Sequence, residues 1–199
     1  MNMTEHKNES EMTTEYEKMR SQQLYCFEDS EVMASIVRAN ELCTKFSMMT
    51  LASSEYRSTV ETLIPGIPKS SVIIPPFRCD HGHGINIGEH TFINCDCIML
   101  DGGEITIGAH CKIGPRCQFF TPQHRIDYEE RMQPVETCHP IRIGDNCWLG
   151  GSVTVCPGVT IGPRSIIAAG SVVIRDIPAD SMAAGNPAVV KKRLIRNTD

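Results

Sequence analysis

Residues 141–175 read IRIGDNCWLGGSVTVCPGVTIGPRSIIAAGSVVIR, and this stretch decides the fold. An aliphatic residue recurs there at every sixth position, whereas an α-helix repeats every 3.6 residues and a strand every second residue. A six-residue period is typical of a parallel β-helix, in which three hexapeptides complete one triangular coil. The aliphatic positions of the stretch are Ile143, Leu149, Val155, Ile161, Ile167 and Val173.

The same period extends towards the N-terminus, with one phase shift and one long interruption. Its positions are Ile87, Ile93, Met99 and Ile105, followed by Ile107, Ile113 and Phe119. Glycine often follows the aliphatic residue, and because glycine readily adopts a positive φ, we expect these glycines to turn the corners. The repeats therefore span roughly 85–119 and 141–177. The predicted fold is mainly β, a parallel β-helix with an N-terminal helical segment.

Four segments divide the 199 residues. We expect a disordered tail at 1–12, helices at 13–66, the β-helix at 67–188 with an insertion loop at 120–140, and a C-terminal helix or tail at 189–199. Thr14 with Glu17 three places later predicts a capped helix that runs to about Tyr25. A second helix begins at Asp29-Ser30, and a third follows Ser54 and ends at Pro65-Gly66.

The overall charge and hydropathy exclude several function classes. A net charge of −5 gives no support for a nucleic-acid partner. No signal peptide and no apolar run of about 20 residues is present, so we expect a cytoplasmic protein without a membrane partner. One basic cluster stands apart, and it is either a solvated terminus or a phosphate contact. It comprises Lys191, Lys192, Arg193 and Arg196.

Ten cysteines need an explanation, and the repeat offers one. Several fall four residues after a repeat aliphatic, where Thr91 and Val153 stand in other coils. A free cysteine behaves there as a small hydrophobe, so we expect structural thiols and no metal requirement. A corner is predicted between Cys95 and Cys97, which would point them to different faces. The cysteines at the repeat position are Cys97, Cys111, Cys117 and Cys147.

The insertion, FTPQHRIDYEERMQPVETCHP at 120–140, breaks a rigid repeat, and such loops commonly carry function. It contains His124. A histidine titrates near neutral pH, so it can accept a proton from an alcohol that attacks a thioester. A lone histidine is more often a surface residue, and seven compete here.

Seven motifs occur in a fixed order along the chain. They are PFRCD (76–80), FIN (92–94), His124 with Asp127, NCWLGG (146–151), PGVTIG (157–162), AGSVV (169–173) and AGNPA (184–188). Over about Met19 to Arg193 this set resembles the maltose and galactoside O-acetyltransferases, a branch of the hexapeptide acyltransferases. The resemblance implies a left-handed β-helix, a homotrimer with active sites between subunits, and acetyl-coenzyme A as donor.

The resemblance also implies a direct transfer without an acyl-enzyme. His124 would be the general base, Asn94 would place the acceptor hydroxyl, and the Gly151 N–H would bind the oxyanion. Asn94 could instead only turn a corner. Glu136 either orients the imidazole or is a solvated loop residue.

Coenzyme and acceptor contacts follow from the same resemblance. Trp148, Gly151 and Ala169 match positions along the pantetheine channel, although plain packing is the alternative for Trp148. Arg175 stands where a family lysine is common, and Lys192 where a basic residue meets the nucleotide phosphates. On the acceptor side, Asp80 and Asp101 match. Departures occur at Val189, which replaces an arginine, and at His81 and His83, which replace tyrosines.

The acceptor itself stays open between a small hydroxylated molecule such as a sugar and an antibiotic, other xenobiotic or amino sugar. Two other classes use the same fold. A γ-type carbonic anhydrase would need three histidine ligands, for which His81, His83, His90, His110 and His124 compete. A non-catalytic trimer that binds partners is the remaining alternative.

Overall fold

The computed structural model describes residues 13–194, so the predicted disorder of 1–12 lies outside the described residues. Three α-helices form the N-terminal segment: α1 (Glu15–Arg20), α2 (Ser30–Ser47) and α3 (Tyr56–Leu63). A short strand, β1 (Tyr25–Cys26), lies between α1 and α2. The apolar side of α2 packs on the β-helix through Ala39, Cys43 and Phe46.

Two of the predicted helix starts are confirmed and two boundaries are wrong. Thr14 and Glu17 form the expected capping box, and Asp29 caps α2. However, α1 ends at Arg20 and not near Tyr25, because Tyr25 pairs in a sheet with the insertion 111 residues away. The third helix is preceded by Glu55 and not by Ser54, and its cap has no side-chain hydrogen bond.

Short strands follow one another around a triangular coil. The first coil holds β2 (Val72–Ile73), β3 (Phe77–Cys79) and β4 (Ile85–Ile87), and the second β5 (Phe92–Ile93), β6 (Cys97–Leu100) and β7 (Ile105–Ile107). The third holds β8 (Lys112–Ile113), β9 (Gln118–Phe120), the inserted β10 (Pro122–His124) and β11 (Val135–Cys138), and then β12 (Ile141–Ile143). Next come β13 (Trp148–Leu149), β14 (Thr154–Val155), β15 (Thr160–Ile161), β16 (Ile166–Ile167), β17 (Val172–Val173), β18 (Ser181–Ala184) and β19 (Val189–Arg193).

Strands one coil apart pair in parallel and build three flat sides. Sheet I contains β2, β5, β8, β13, β16 and β18, with β19 added antiparallel. Sheet II contains β3, β6, β9, β14 and β17, and sheet III contains β4, β7, β12 and β15. The predicted mainly β, parallel β-helix is thereby confirmed. We call the corner after each sheet I strand edge I/II, and the corner after each sheet II strand edge II/III.

The repeat aliphatics fill the interior in register. Ile93, Ile113, Leu149 and Ile167 stack directly above one another in sheet I, and each is at most 1% exposed. Each coil therefore buries its apolar side chains against the coils above and below, which is how repeat proteins stabilise a fold without a central layer.

The role expected for the glycines is wrong. The left-handed conformations at the corners belong mostly to residues two places later, such as His90, His110 and Asn146. Glycine is needed for a different reason: a Cβ on Gly108 would lie 2.7 Å from the backbone N of Asp145 in the next coil. The glycines that follow the repeat aliphatics therefore allow the coils to stack closely.

The cysteine assignment at the repeat position is confirmed. Cys97, Cys111, Cys117 and Cys147 are all buried, and each Sγ donates to a glycine carbonyl at 3.1–3.3 Å in a neighbouring coil. A corner with positive φ at Asp96 separates Cys95 from Cys97 as expected. Among residues 13–194, no group of three or more His, Cys, Asp or Glu side chains is arranged to hold a metal ion.

Two segments differ from the expected elements. A C-terminal helix was expected after residue 188, but Val189–Arg193 forms β19, which pairs antiparallel with β18. An open strand edge otherwise ends the solenoid, and β19 covers it. The insertion is a hairpin of β10 and β11 with a 3-10 turn at Glu130–Met132, and β1 joins it as a third strand. No helix of the described residues is long and apolar enough to span a membrane.

Candidate functional site

Three of the predicted site residues lie in one column on edge I/II. Asn94, Gly151 and Ala169 each follow a sheet I strand, and hydrogen bonds between successive coils align these corners. One of these bonds joins the Gly170 N–H to the Gly151 carbonyl at 2.9 Å. Because the coils are stacked in register, residues far apart in sequence form a continuous ridge.

The Asn94 side chain and the Gly151 N–H are the polar groups of this ridge, and they differ in whether a group of the chain already bonds to them. Asn94 is half-buried, and its Oδ1 accepts a hydrogen bond from the Cys95 N–H at 2.8 Å, as an asparagine at a corner does. The Gly151 N–H donates to no group within residues 13–194. A backbone donor at a corner, held by coils on both sides, is a preorganised group of the kind that binds an oxyanion.

The hairpin on edge II/III brings together His124 and Glu136. The two residues are direct partners across β10 and β11, and Nδ1 of His124 lies 3.3 Å from Oε2 of Glu136. Glu136 is only 8% exposed, whereas the His124 side chain is 59% exposed. A proton on Nδ1 would face this carboxylate, and the lone pair on Nε2 would then be free to accept a proton.

The N-terminal segment completes the surroundings of this pair. The Tyr25 hydroxyl donates to Oε1 of Glu136, and the Phe27 ring lies edge-on to the imidazole at 5.9 Å between centroids. Sequence reasoning missed both residues. Only the pairing of β1 with β11 brings them to the hairpin, and no local pattern around Tyr25 indicates that pairing.

Asp80 and Asp101 follow β3 and β6 on the same edge. Asp101 is fully buried, and its carboxylate accepts from three backbone N–H groups, those of Asp80, His81 and Gly84, at 2.8–3.1 Å. Its oxygens thus hold the corner at 80–84 in place. Burial first, and then the charges of Asp101 and Glu136, raise the pKa of Asp80 to about 7. The charge of Glu136 on the hairpin therefore acts on the Asp80 carboxyl.

The histidines that replace the family tyrosines have separate environments. His81 is buried beside Ser35, whose Oγ lies 2.9 Å from Nδ1, and burial lowers the pKa of His81 to about 4. His83 is exposed. His90 and His110 stack on each other at 5.0 Å on the corner between sheets III and I, away from the hairpin.

The predicted coenzyme contacts lie on the outer surface. Trp148 is 56% exposed on sheet I, between Lys112 and Ile166 of the neighbouring strands, so packing inside its own subunit does not explain it. Arg175 is exposed on edge II/III after β17, and Lys192 is exposed on β19. These cations are therefore free to meet phosphates.

Grooves occur on both sides of the candidate site. One of about 670 Å³ runs along the outer face of sheet II and is lined by Arg78, Asp96, Ile98, Arg116 and Gln118, among others. Another of about 540 Å³ is lined by His124 and its hairpin neighbours. The larger groove does not include His124, so volume alone does not locate the chemistry.

Within one chain, the ridge on edge I/II (Asn94, Gly151 and Ala169) is separated from the hairpin pair on edge II/III (His124 and Glu136). The sheet II strand β6 spans four residues between the corner of Asn94 and that of Asp101, or about 13 Å at 3.3 Å per residue. A hydrogen bond reaches only about 3 Å. Asn94 and Gly151 on edge I/II therefore lie too far from the hairpin edge to share one small acceptor with His124 across a bare sheet.

Comparisons with known proteins agree with this architecture. The family of bacterial transferase hexapeptide repeats (six repeats) matches residues 140–175. The chain is 39% identical to a hexapeptide-repeat acetyltransferase of Vibrio cholerae solved with acetyl coenzyme A, with a TM-score of 0.86 over 92% of this chain and 100% of that one. Against a maltose O-acetyltransferase of Clostridium difficile 630 it is 36% identical, with a TM-score of 0.89 over 92% and 98%.

A further relative is similar over most of its length. Nodulation protein L of Rhizobium meliloti (strain 1021) is 35% identical over 179 residues, which are 89% of this chain and 98% of that protein. The repeat period, the parallel solenoid and these similarities agree with one another. The chain therefore belongs to the hexapeptide-repeat acetyltransferases.

Proposed function

We propose that this protein transfers the acetyl group of acetyl-coenzyme A to a hydroxyl of a small acceptor, a sugar or a similar molecule, with His124 as general base. The observation that carries the proposal is the pairing of an exposed imidazole with a buried carboxylate. Glu136 holds Nδ1 of His124 at 3.3 Å, and this directs the free lone pair of Nε2 outwards. An imidazole held in one tautomer is suited to remove a proton.

The transfer proceeds in one direct attack. Nε2 of His124 takes the acceptor proton while the acceptor oxygen bonds to the thioester carbon, and the Gly151 N–H donates to the developing oxyanion. The C–S bond then breaks, and the leaving thiolate takes the proton from the imidazolium. The products are the acetyl ester and coenzyme A, so His124 returns to its neutral form.

A homotrimer accounts for the separation of the two edges. The outer column of sheet I has Phe92, Lys112, Trp148, Ile166 and Met182 in register and is apolar there except at Lys112, whereas that of sheet III has Asn86, Thr106, Arg142 and Thr160. An exposed apolar sheet face favours contact with another subunit. A neighbouring copy would set its edge I/II opposite the hairpin, and so join Asn94 and Gly151 to His124.

The donor and acceptor then occupy different sides of this junction. Trp148 and Ala169 offer apolar surface for pantetheine, and Lys192 and Arg175 offer charge for phosphates. The Vibrio cholerae relative was solved with acetyl coenzyme A, and a galactoside acetyltransferase 28% identical to this chain was solved with coenzyme A. Asp80, on the same edge as the hairpin pair, would bind acceptor hydroxyls, and Asp101 would support it by fixing its backbone.

The test is thiol release from acetyl-coenzyme A with a panel of hydroxylated and amine acceptors. We expect His124→Ala to lower acceptor-dependent turnover by about 100-fold or more, as expected for loss of a general base, without changing the melting temperature. His110→Ala, on the corner between sheets III and I and away from the hairpin, is the matched control and should stay near wild type. Full activity in His124→Ala, or its loss only in His110→Ala, would refute the assignment.

A further inference from the structure

Tyr25 occupies the one oxygen of Glu136 that His124 does not use. The hydroxyl donates to Oε1, and the imidazole faces Oε2. Tyr25 and His124 are both partners of Glu136 in the small sheet, because β1 and β10 flank β11 and Glu136 stands opposite both residues. The carboxylate is therefore held from both sides by strands that are about 100 residues apart in sequence.

The direction of the hydrogen bonds made by Tyr25 follows from the protonation of Tyr25 and Cys138, which depends on their burial. Tyr25 is 3% exposed and packs with Met19, Val32 and Cys138. Burial raises the pKa of the Tyr25 phenol and raises that of the Cys138 thiol to about 11, so both are protonated at neutral pH. The Cys138 Sγ lies 3.6 Å from the Tyr25 oxygen and donates to it, and the phenol proton is committed to Glu136.

We propose that Tyr25 is a positioning residue for catalysis: its hydroxyl fixes the Glu136 carboxylate so that Oε2 faces His124 and tempers the carboxylate charge. This inference rests on the proposed function of His124. A buried carboxylate with one donor removed would lose both its fixed orientation and part of its charge stabilisation. The N-terminal segment thus contributes to the base that the hairpin carries.

A change in pH dependence follows. The charged groups around Glu136 are His124 on β10, Asp80 after β3, and Arg20 on α1, which acts on the neighbouring Cys138. Without the phenol, the carboxylate loses a donor and attracts the imidazolium more strongly. We therefore expect the acidic limb of kcat/KM in the variant to move to higher pH than in the wild type.

The experiment compares Tyr25→Phe with Tyr56→Phe. Tyr56 donates to the Ile73 carbonyl at 2.8 Å, far along the chain from the hairpin, so its loss removes a partly buried tyrosine hydrogen bond without touching Glu136. We expect Tyr25→Phe to lower kcat about tenfold, the effect of losing roughly one hydrogen bond to a charged group. The KM for acetyl-coenzyme A should stay constant, and the acidic limb should rise. Tyr56→Phe should change neither kcat nor the limb.

A double-mutant cycle with Glu136→Gln then asks whether Tyr25 acts through Glu136. Tyr25→Phe should have little further effect on kcat in that background, and independent, multiplying effects would overturn the inference. If melting shows Tyr25→Phe unfolded, 3-fluorotyrosine at position 25 keeps the ring and strengthens the donor, and the limb should move to lower pH. If His124→Ala is inactive but the acidic limb of kcat/KM does not move in the Tyr25 variant, the inference about Tyr25 is refuted and the proposed function stands. If His124→Ala is active, the proposed function itself is refuted.

Discussion

Replacing Glu136 with glutamine tests the carboxylate on which the His124 assignment depends. The substitution conserves size and keeps an oxygen for the Tyr25 hydroxyl, but it puts an NH₂ group where Oε2 faces Nδ1. Two donors then oppose each other, and the imidazole must turn its lone pair towards the amide. The proton moves to Nε2, where a base needs a lone pair, so turnover should fall.

The size of the fall in turnover follows from the distance between Nδ1 of His124 and Oε2 of Glu136. Two unit charges 3.3 Å apart interact by about 5 kcal/mol at an effective dielectric constant of 20 and by about 1.3 kcal/mol in water. Because the His124 side chain is 59% exposed, screening places the imidazolium near the lower value, at roughly 2 kcal/mol. We therefore expect about a 30-fold lower kcat.

Steady-state thiol release with saturating acetyl-coenzyme A measures this change. Glu61→Gln is the matched control, since Glu61 also forms an ion pair, with Arg57 on α3 at 2.7 Å, and does not line the groove that contains His124. Its kcat should stay within twofold of wild type. A folded Glu136→Gln enzyme with wild-type kcat would show that the carboxylate does not hold the base, and the reasoning from this contact would fail.

Two further variants test the solenoid and the acidic corner. Gly108→Ala should lower the free energy of unfolding by about 1–3 kcal/mol, because its Cβ meets the Asp145 backbone; a thermal melt that matches Thr106→Ala would contradict this. Asp80→Asn should raise the melting temperature at pH 8 but not at pH 4. The folded pKa of Asp80, about 7, exceeds the unfolded value of about 4, so its stabilising effect is present below pH 4 and is lost as pH rises through 7. Equal shifts at both pH values would exclude this cause.

Most of the fold could be predicted because a solenoid repeats one local interaction. Every coil places its aliphatic residues above those of the coil before, so Leu149 and Ile167, which are three hexapeptides apart in sequence, are direct neighbours in sheet I. The same register explains why Cys147 was recognisable as a core residue. The elements that were predicted wrongly, the end of α1 and the C-terminal helix, are those whose conformation depends on a partner strand elsewhere in the chain.

The candidate site was predictable only in part for the same reason. Asn94, Gly151 and Ala169 were expected from the family resemblance, and the period accounts for their position on one edge. His124 was predicted from its place in the insertion and from the same resemblance. Tyr25 carries no such mark: its sequence neighbours suggest a helix, and its contact with Glu136 exists only because β1 pairs with β11.

The contrast between the predictable solenoid ridge and the hairpin pair has a physical cause. The coils stack so closely that a Cβ at Gly108 does not fit, so the solenoid is suited to hold donors such as the Gly151 N–H. A general base has a different requirement: its tautomer and basicity must be set by charged neighbours. Asp101 is a buried carboxylate at a solenoid corner, but its oxygens already accept hydrogen bonds from three backbone N–H groups. The hairpin and β1 together bury Glu136 outside the solenoid, next to a His124 side chain that stays exposed.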